Sequence, residues 1–224
     1  MAGDVKVKIC GLMRRADVLF ADARGSDYVG VILSAGFTRS VTVEEAKALV
    51  ADVAATPVAV FVDEEVSVAA RAAATIGAGV VQLHGEETPR TVSEVSALGP
   101  WKVWKAVRVR EPSDLTDALA IYADVVDGLL VEGWKEGVVG GGGARADLQA
   151  LHMVRNEVPA GLELVLAGGL NPENVAEGVA RFRPSVVDVS SGVEETLGQK
   201  SEDLVYRFIE EARRASDNAN GAHL

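Results

Sequence analysis

The stretch LELVLAGGLNPENVAEGVARF (162–182) holds the pattern that decides the fold. A short apolar run, Leu162 to Leu166, ends in the glycine turn Ala167-Gly168-Gly169-Leu170. Asn171-Pro172-Glu173 then supplies a cap, a proline suited to a first helical turn and an acid near the positive helix end, so a helix is expected to enter at Asn171. The same strand, turn and helix succession recurs eight times. The other strand candidates are VKVKIC (5–10), YVGVIL (28–33), VAVFV (58–62), VVQLH (80–84), KVWKAV (102–107), VVDGLLV (125–131) and VVDVS (186–190). Runs this dense in Val and Ile, bounded by Gly, Pro or Asp, suit strands buried on both faces.

Between them, apolar residues fall at helical spacing over Val43–Val53, Val66–Ile76, Val92–Leu98, Leu148–Val154 and Leu204–Ala212. Thr42 ahead of Glu44 and Glu45, Thr88 with Pro89, and Pro112-Ser113 before Asp114 read as further helix starts. A period of about 20 to 30 residues is the size of a βα unit. Eight such units close into a barrel, whereas doubly wound sheets commonly stop at five or six strands. The expectation is an α/β protein, a single-domain (β/α)8 TIM barrel over residues 1–215, followed by a frayed tail over 216–224.

Composition narrows the function classes. The chain has 224 residues and a formal net charge of −11. It lacks the Lys and Arg clusters that bind nucleic acid, and the charge disfavours acidic membranes as well. No run approaches the roughly 18 apolar residues needed to span a bilayer. The N-terminus lacks a signal peptide's regions, so a cytoplasmic location is expected. A single cysteine cannot form an intramolecular disulfide, and three scattered histidines offer no structural zinc spacing. The acidity reads either as ordinary surface solubility or as adaptation to a salty cytoplasm such as halophilic archaea maintain. The Ala-rich, Lys-poor composition favours the second. Monomer and homodimer both remain open.

In barrels of this class the active site lies at the carboxyl ends of the strands. That rule selects Cys10 after strand 1, Arg39 after strand 2, His84 at the end of strand 4, Glu132 after strand 6 and Asp188 on strand 8. Cys10, two residues beyond Lys8, becomes a base if its pKa falls below about 8.5. Apolar neighbours are expected to raise the pKa of Glu132 and suit it to general acid work. The pair implies proton transfer without a metal or redox cofactor. Arg39 is placed to stack on an aromatic ring or meet a carboxylate. His84 reads equally as a structural hydrogen-bonding group or as pocket lining.

Three glycine clusters follow consecutive strands: Gly140 to Gly143, Gly168-Gly169, and Ser190-Ser191-Gly192. Glycine lets backbone amides approach an anion, and these barrels frequently bind phosphate after strands 7 and 8. Gly141, Gly142, Gly143, Gly168, Gly169, Ser191 and Gly192 are the candidate phosphate contacts, aided by the helix at Asn171 and a short one near Glu194. A small phosphorylated molecule is the expected substrate. Dinucleotide binding is disfavoured, because Gly11 alone occupies the first strand-to-helix loop.

KICGL (8–12), QLHGE (82–86), AGGLNPENV (167–175) and DVSSGVE (188–194) together resemble the signature segments of the phosphoribosylanthranilate isomerase family, in order and across essentially the whole chain. The resemblance implies an Amadori rearrangement in tryptophan biosynthesis, from N-(5-phosphoribosyl)anthranilate to 1-(2-carboxyphenylamino)-1-deoxyribulose 5-phosphate. It gives Cys10 the base role and Glu132 the acid role. Arg39 would hold the anthranilate, Asp188 would assist near the sugar, and the glycine loops would bind phosphate.

The chain departs from the family at several points. The family's Asp at the end of strand 6 is Glu132 here, whose carboxyl reaches about 1.5 Å further, one C–C bond length. Ala144-Arg145 replaces Lys-Thr after the glycines, and Phe37-Thr38-Arg39 replaces a Pro-Arg pair. Asp127 lies too far back to substitute for Glu132. Three other readings stand beside this one. The related isomerase of histidine biosynthesis uses two aspartates, and ribulose-phosphate epimerases need metal-binding His and Asp. A catalytically inactive phosphate-ligand binding protein is favoured only by the Glu132 substitution.

Overall fold

The computed structural model describes residues 4–133 and 157–221. Eight parallel strands form a closed barrel in sequence order: β1 (Lys6–Ile9), β2 (Tyr28–Ile32), β3 (Thr56–Phe61), β4 (Val80–Leu83), β5 (Lys102–Val109), β6 (Gly128–Gly133), β7 (Glu163–Leu166) and β8 (Val186–Val189). Closure comes from β1 against β8, with Lys8 opposite Asp188 and Ile9 opposite Val189. Seven α-helices are described: α1 (Arg15–Ala23), α2 (Val43–Leu49), α3 (Val66–Ile76), α4 (Pro89–Ser96), α5 (Pro112–Tyr122), α6 (Val175–Phe182) and α7 (Glu202–Gly221). A two-stranded hairpin, β9 (Glu194–Thr196) and β10 (Gln199–Lys200), precedes α7. The glycines 140–143 and the helix expected over Leu148–Val154 lie outside the described residues. No helix of the described residues is long and apolar enough to cross a membrane.

Local chemistry sets the helix starts. Thr42 and Glu45 exchange hydrogen bonds in a capping box, and the Thr88 hydroxyl accepts from Thr91 N ahead of Pro89. The start expected at Asn171 falls four residues later. The Asn171 side chain accepts from Glu173 N and that of Asn174 from Asn171 N, which makes a side-chain-stapled turn, and α6 begins at Val175. At the other end of the chain, residues 216–221 continue α7 where a tail was expected. The apolar spacing Val205, Phe208, Ile209, Ala212, Ala215 simply carries on to Ser216, which is buried and whose hydroxyl accepts from Val5 N at 3.0 Å.

The strands bury both faces. Val7, Ile9, Val29, Val31, Phe61, Leu83, Leu129, Leu164 and Val187 pack outward with the helices. The lower interior holds Trp104 and Tyr28, edge to face at 5.0 Å, with Val58, Val80, Leu130, Val165 and Val186. Gly128 makes this possible, because a Cβ there would lie 2.7 Å from the Trp104 ring. With the amino-terminal half of the barrel filled, the space inside the barrel among the described residues lies at the carboxyl ends of the strands.

Candidate active site

That space is a cavity of about 150 Å³. Every described residue singled out from the sequence lines it: Cys10, Arg39, His84, Glu132, Asp188, Gly168, Gly169, Ser191 and Gly192. Gly141, Gly142 and Gly143 lie outside the described residues, as does Arg145. Asp127 is remote from the cavity, its carboxylate accepting from Val103 N at the amino end of β5.

Cys10 follows β1, its backbone N–H donating to Val189 O at 2.8 Å, with its thiol buried above Gly30. A Cβ on Gly30 would stand 2.9 Å from Cys10 Sγ and 3.1 Å from Lys8 Cε, so this glycine leaves the volume that both side chains occupy. Lys8 is fully buried and pairs with Asp188 at 2.9 Å. Loss of solvation would discharge it, but its neighbours, Asp188 foremost, prevail and raise its pKa. For Cys10 the balance goes the other way. Burial raises the thiol pKa, and the nearby Lys8 does not offset this. The resting site therefore holds Cys10 as a thiol, and the condition for a base of lowered pKa is not met there.

For Glu132 the expected direction is reversed. Burial pushes its pKa up, as expected from apolar neighbours, yet His84 and Arg108 together bring it below the usual carboxylate value. His84 Nε2 lies 3.2 Å from Glu132 Oε1, and Arg108 Nε 3.4 Å from the same oxygen. The β5–β6 register sets Arg108 directly beside Glu132. Arg108 escaped notice because strand 5 was expected to stop at Val107. The strand runs two residues further, to Val109, and the alternation 104, 106, 108 turns the Arg108 side chain inward.

Arg39 does meet a carboxylate, and it is the protein's own. Its Nε and Nη2 donate to the two oxygens of Glu194 at 2.7 and 2.6 Å. Lys200 donates to Glu194 at 2.9 Å and to Ser190 O at 3.0 Å, which ties this cluster to the loop after β8. Gly11 lets Arg39 cross beneath it: its φ is +68°, and a Cβ there would come within 2.7 Å of Arg39 Cδ. Neither Glu194 nor Lys200 was assigned such a role from sequence. The loops after β7 and β8 meet with no room for side chains, since a Cβ on Gly192 would fall 1.9 Å from Leu170 O. The short helix expected near Glu194 is a single 3-10 turn, Ser191–Val193.

A thiol, a carboxylate, a guanidinium and glycine loops converging at the carboxyl ends of barrel strands define a class: (β/α)8 enzymes acting on small anionic molecules by acid and base groups. Comparison with known proteins narrows this. The family model described as N-(5'phosphoribosyl)anthranilate (PRA) isomerase matches residues 7–211, and the chain belongs to that family. The N-(5'-phosphoribosyl)anthranilate isomerase of Hyphomonas neptunium is 41% identical over 212 residues, covering 93% of this chain and 97% of the relative. That of a Geobacter species is 38% identical, covering 94% and 99%. The crystal structure of phosphoribosyl anthranilate isomerase from Thermotoga maritima superposes with a TM-score of 0.85 at 33% identity, covering 94% of this chain and 99% of that one. A phosphoribosyl anthranilate isomerase crystallised with reduced 1-(o-carboxyphenylamino)-1-deoxyribulose 5-phosphate gives a TM-score of 0.82 at 32% identity, covering 94% and 99%.

Proposed function

We infer that this chain converts N-(5-phosphoribosyl)anthranilate to 1-(2-carboxyphenylamino)-1-deoxyribulose 5-phosphate, a step of tryptophan biosynthesis. The observation that carries the reading is the convergence of Cys10 and Glu132 on one cavity flanked by Arg39 and the glycine loops. The substrate has a carboxylate on an aromatic ring at one end and a phosphate at the other. Arg39 suits the first: with one edge of its guanidinium held by Glu194, Nη1 remains for a second carboxylate. Gly168, Gly169, Ser191 and Gly192, with Gly141 to Gly143, suit the second through backbone amides.

Between these ends, Glu132 protonates the furanose oxygen. The C1–O bond breaks, its electron pair stays on oxygen, and the anilino nitrogen forms C1=N. The Cys10 thiolate removes the C2 proton and gives an enolamine. That species becomes the ketone by gaining a proton at C1 and losing one from the C2 hydroxyl, so no net proton is consumed. Lys8, held by Asp188, stabilises the thiolate. Since the resting site keeps the proton on Cys10, turnover draws on the form in which that proton has moved to the acid side. Each group named here belongs to one chain, so a monomer and a homodimer of the cytoplasm serve equally.

Purified protein given freshly made phosphoribosylanthranilate consumes it, seen as the decay of anthranilate-type fluorescence; a stable signal would reject the enzyme reading. Gly30→Ala is expected to lower kcat/KM roughly 10²-fold, the scale of an ångström-sized misplacement of a reacting group. The added methyl displaces the Cys10 thiol without opening the core. Steady-state kinetics beside a thermal unfolding scan separates this from a folding defect.

A further inference from the structure

The two ring nitrogens of His84 keep different company. Nδ1 lies 2.8 Å from Gln82 Nε2, and Nε2 lies 3.2 Å from Glu132 Oε1. With the amide nitrogen donating to it, Nδ1 accepts, and the ring proton sits on Nε2 facing Glu132. Gln82 is buried, and its Oε1 has no hydrogen-bond partner among the described residues. A half-turn of this amide sets Oε1 against Nδ1, where it accepts from a doubly protonated ring. Gln82 can therefore accompany His84 in either protonation state, with one amide atom left over in each.

The loop that carries His84 is fixed. His84 N donates to Phe61 O at 2.7 Å, and Gly85 N lies 3.0 Å from both carboxylate oxygens of Glu87. Lys105, buried like Glu87, reaches Gly85 O at 2.8 Å and Glu87 at 3.1 Å. The imidazole is held against Glu132 by its own strand and by β5. Charged and titratable groups face the pair from several elements. Arg108 on β5 is the nearest, with Glu86 on its far side at 3.1 Å; Cys10, Asp188 and Arg39 line the same cavity.

We propose that the general acid of this barrel is one proton shared by Glu132 and His84, with His84 a positioning residue that keeps it within reach of the Glu132 carboxyl. The proposal rests on Glu132 being the acid. The proton has two seats: on His84, making the ring doubly protonated beside a carboxylate, or on Glu132 beside a neutral ring. From the second, Glu132 passes it to the furanose oxygen, leaving neutral His84 and the carboxylate. The proton lost from the C2 hydroxyl as the ketone forms refills the pair. Arg108 favours the carboxylate form of Glu132, so without His84 the resting proton on Cys10 would have only an unfavourable place to go.

The pH dependence of kcat/KM tests this. A thiolate arises when the Cys10 proton moves to an empty pair, so the acid limb marks where the pair is already filled. His84→Asn keeps an amide beside Glu132 but removes one seat. Its kcat/KM is expected to fall roughly 10²-fold, the low end of general acid effects, with the acid limb displaced to lower pH. Gln82→Glu places a carboxylate by Nδ1, favours the doubly protonated ring and moves the limb to higher pH. A His84→Asn enzyme that loses rate with its acid limb unmoved would show a packing role and overturn the proposal. If that variant does not fold, an unmoved limb in Gln82→Glu overturns it equally. Near-normal activity in Glu132→Gln removes the reading beneath, and the proposal with it.

Discussion

Cys10→Ala is expected to lower kcat by roughly 10³- to 10⁴-fold, about 4–5.5 kcal/mol of barrier, while KM stays within a few fold. The thiol contributes nothing to holding either end of the substrate, so its loss falls on the transition state for C2 deprotonation. Cys10→Ser is expected to be as poor, since a hydroxyl in this buried position gives up its proton far less readily than a thiol. The pH profile of the wild type adds a second, signed expectation. Burial raises the Cys10 pKa above its ordinary value. As pH rises through neutrality the group keeps the proton that the productive form needs, and kcat/KM holds. It falls only when that proton is lost to solvent, above the ordinary thiol range. An alkaline limb near pH 7 that disappears in Cys10→Ser would contradict the burial argument, and near-normal turnover by Cys10→Ala would remove Cys10 from the mechanism.

The barrel was legible because its information is repetitive. Alternation fixes the inward residue at every second position, and glycine, proline and capping residues punctuate each unit, so errors of two residues at a strand end leave the topology intact. The same errors matter for the site, which is built from those ends. Ending strand 5 at Val107 hid Arg108, although the register places it directly opposite Glu132. The helix beyond Ala215 was not legible because Ser216 breaks the apolar pattern; what covers Ser216 is Val5, far away in the sequence. Cys10, Arg39 and His84 could be named one by one from their positions. Their partners could not. Glu194 reaches Arg39 across 155 residues and Asp188 reaches Lys8 across 180, pairings that exist only once the barrel is closed. The same holds for Glu132, whose pKa is lowered by His84 and Arg108 from neighbouring strands, against the rise expected from its apolar neighbours.

Glu132→Gln is expected to lower kcat roughly 10²- to 10⁴-fold, the range for removal of a general acid, because an amide cannot supply a proton to the furanose oxygen. Its carbonyl oxygen still accepts from His84, so the fold and KM should change little. Glu132→Asp asks a finer question, since it restores the residue that the family resemblance leads one to expect at this position. The carboxyl would withdraw by about 1.5 Å. The 3.2 Å contact to His84 and the 3.4 Å approach of Arg108 would both open. Those two groups are what bring the Glu132 pKa below its usual value against the effect of burial. Without them burial dominates, and the shorter acid should titrate at higher pH. Gain and loss then oppose each other: an acid more willing to stay protonated, but set back from the substrate and from its proton-sharing neighbour. The setback is expected to prevail, giving roughly a tenfold loss in kcat/KM with the acid limb displaced. Activity equal to wild type with an unmoved limb would mean that β6 or His84 shifts to follow the shorter side chain, and that the extra methylene of Glu132 is neutral.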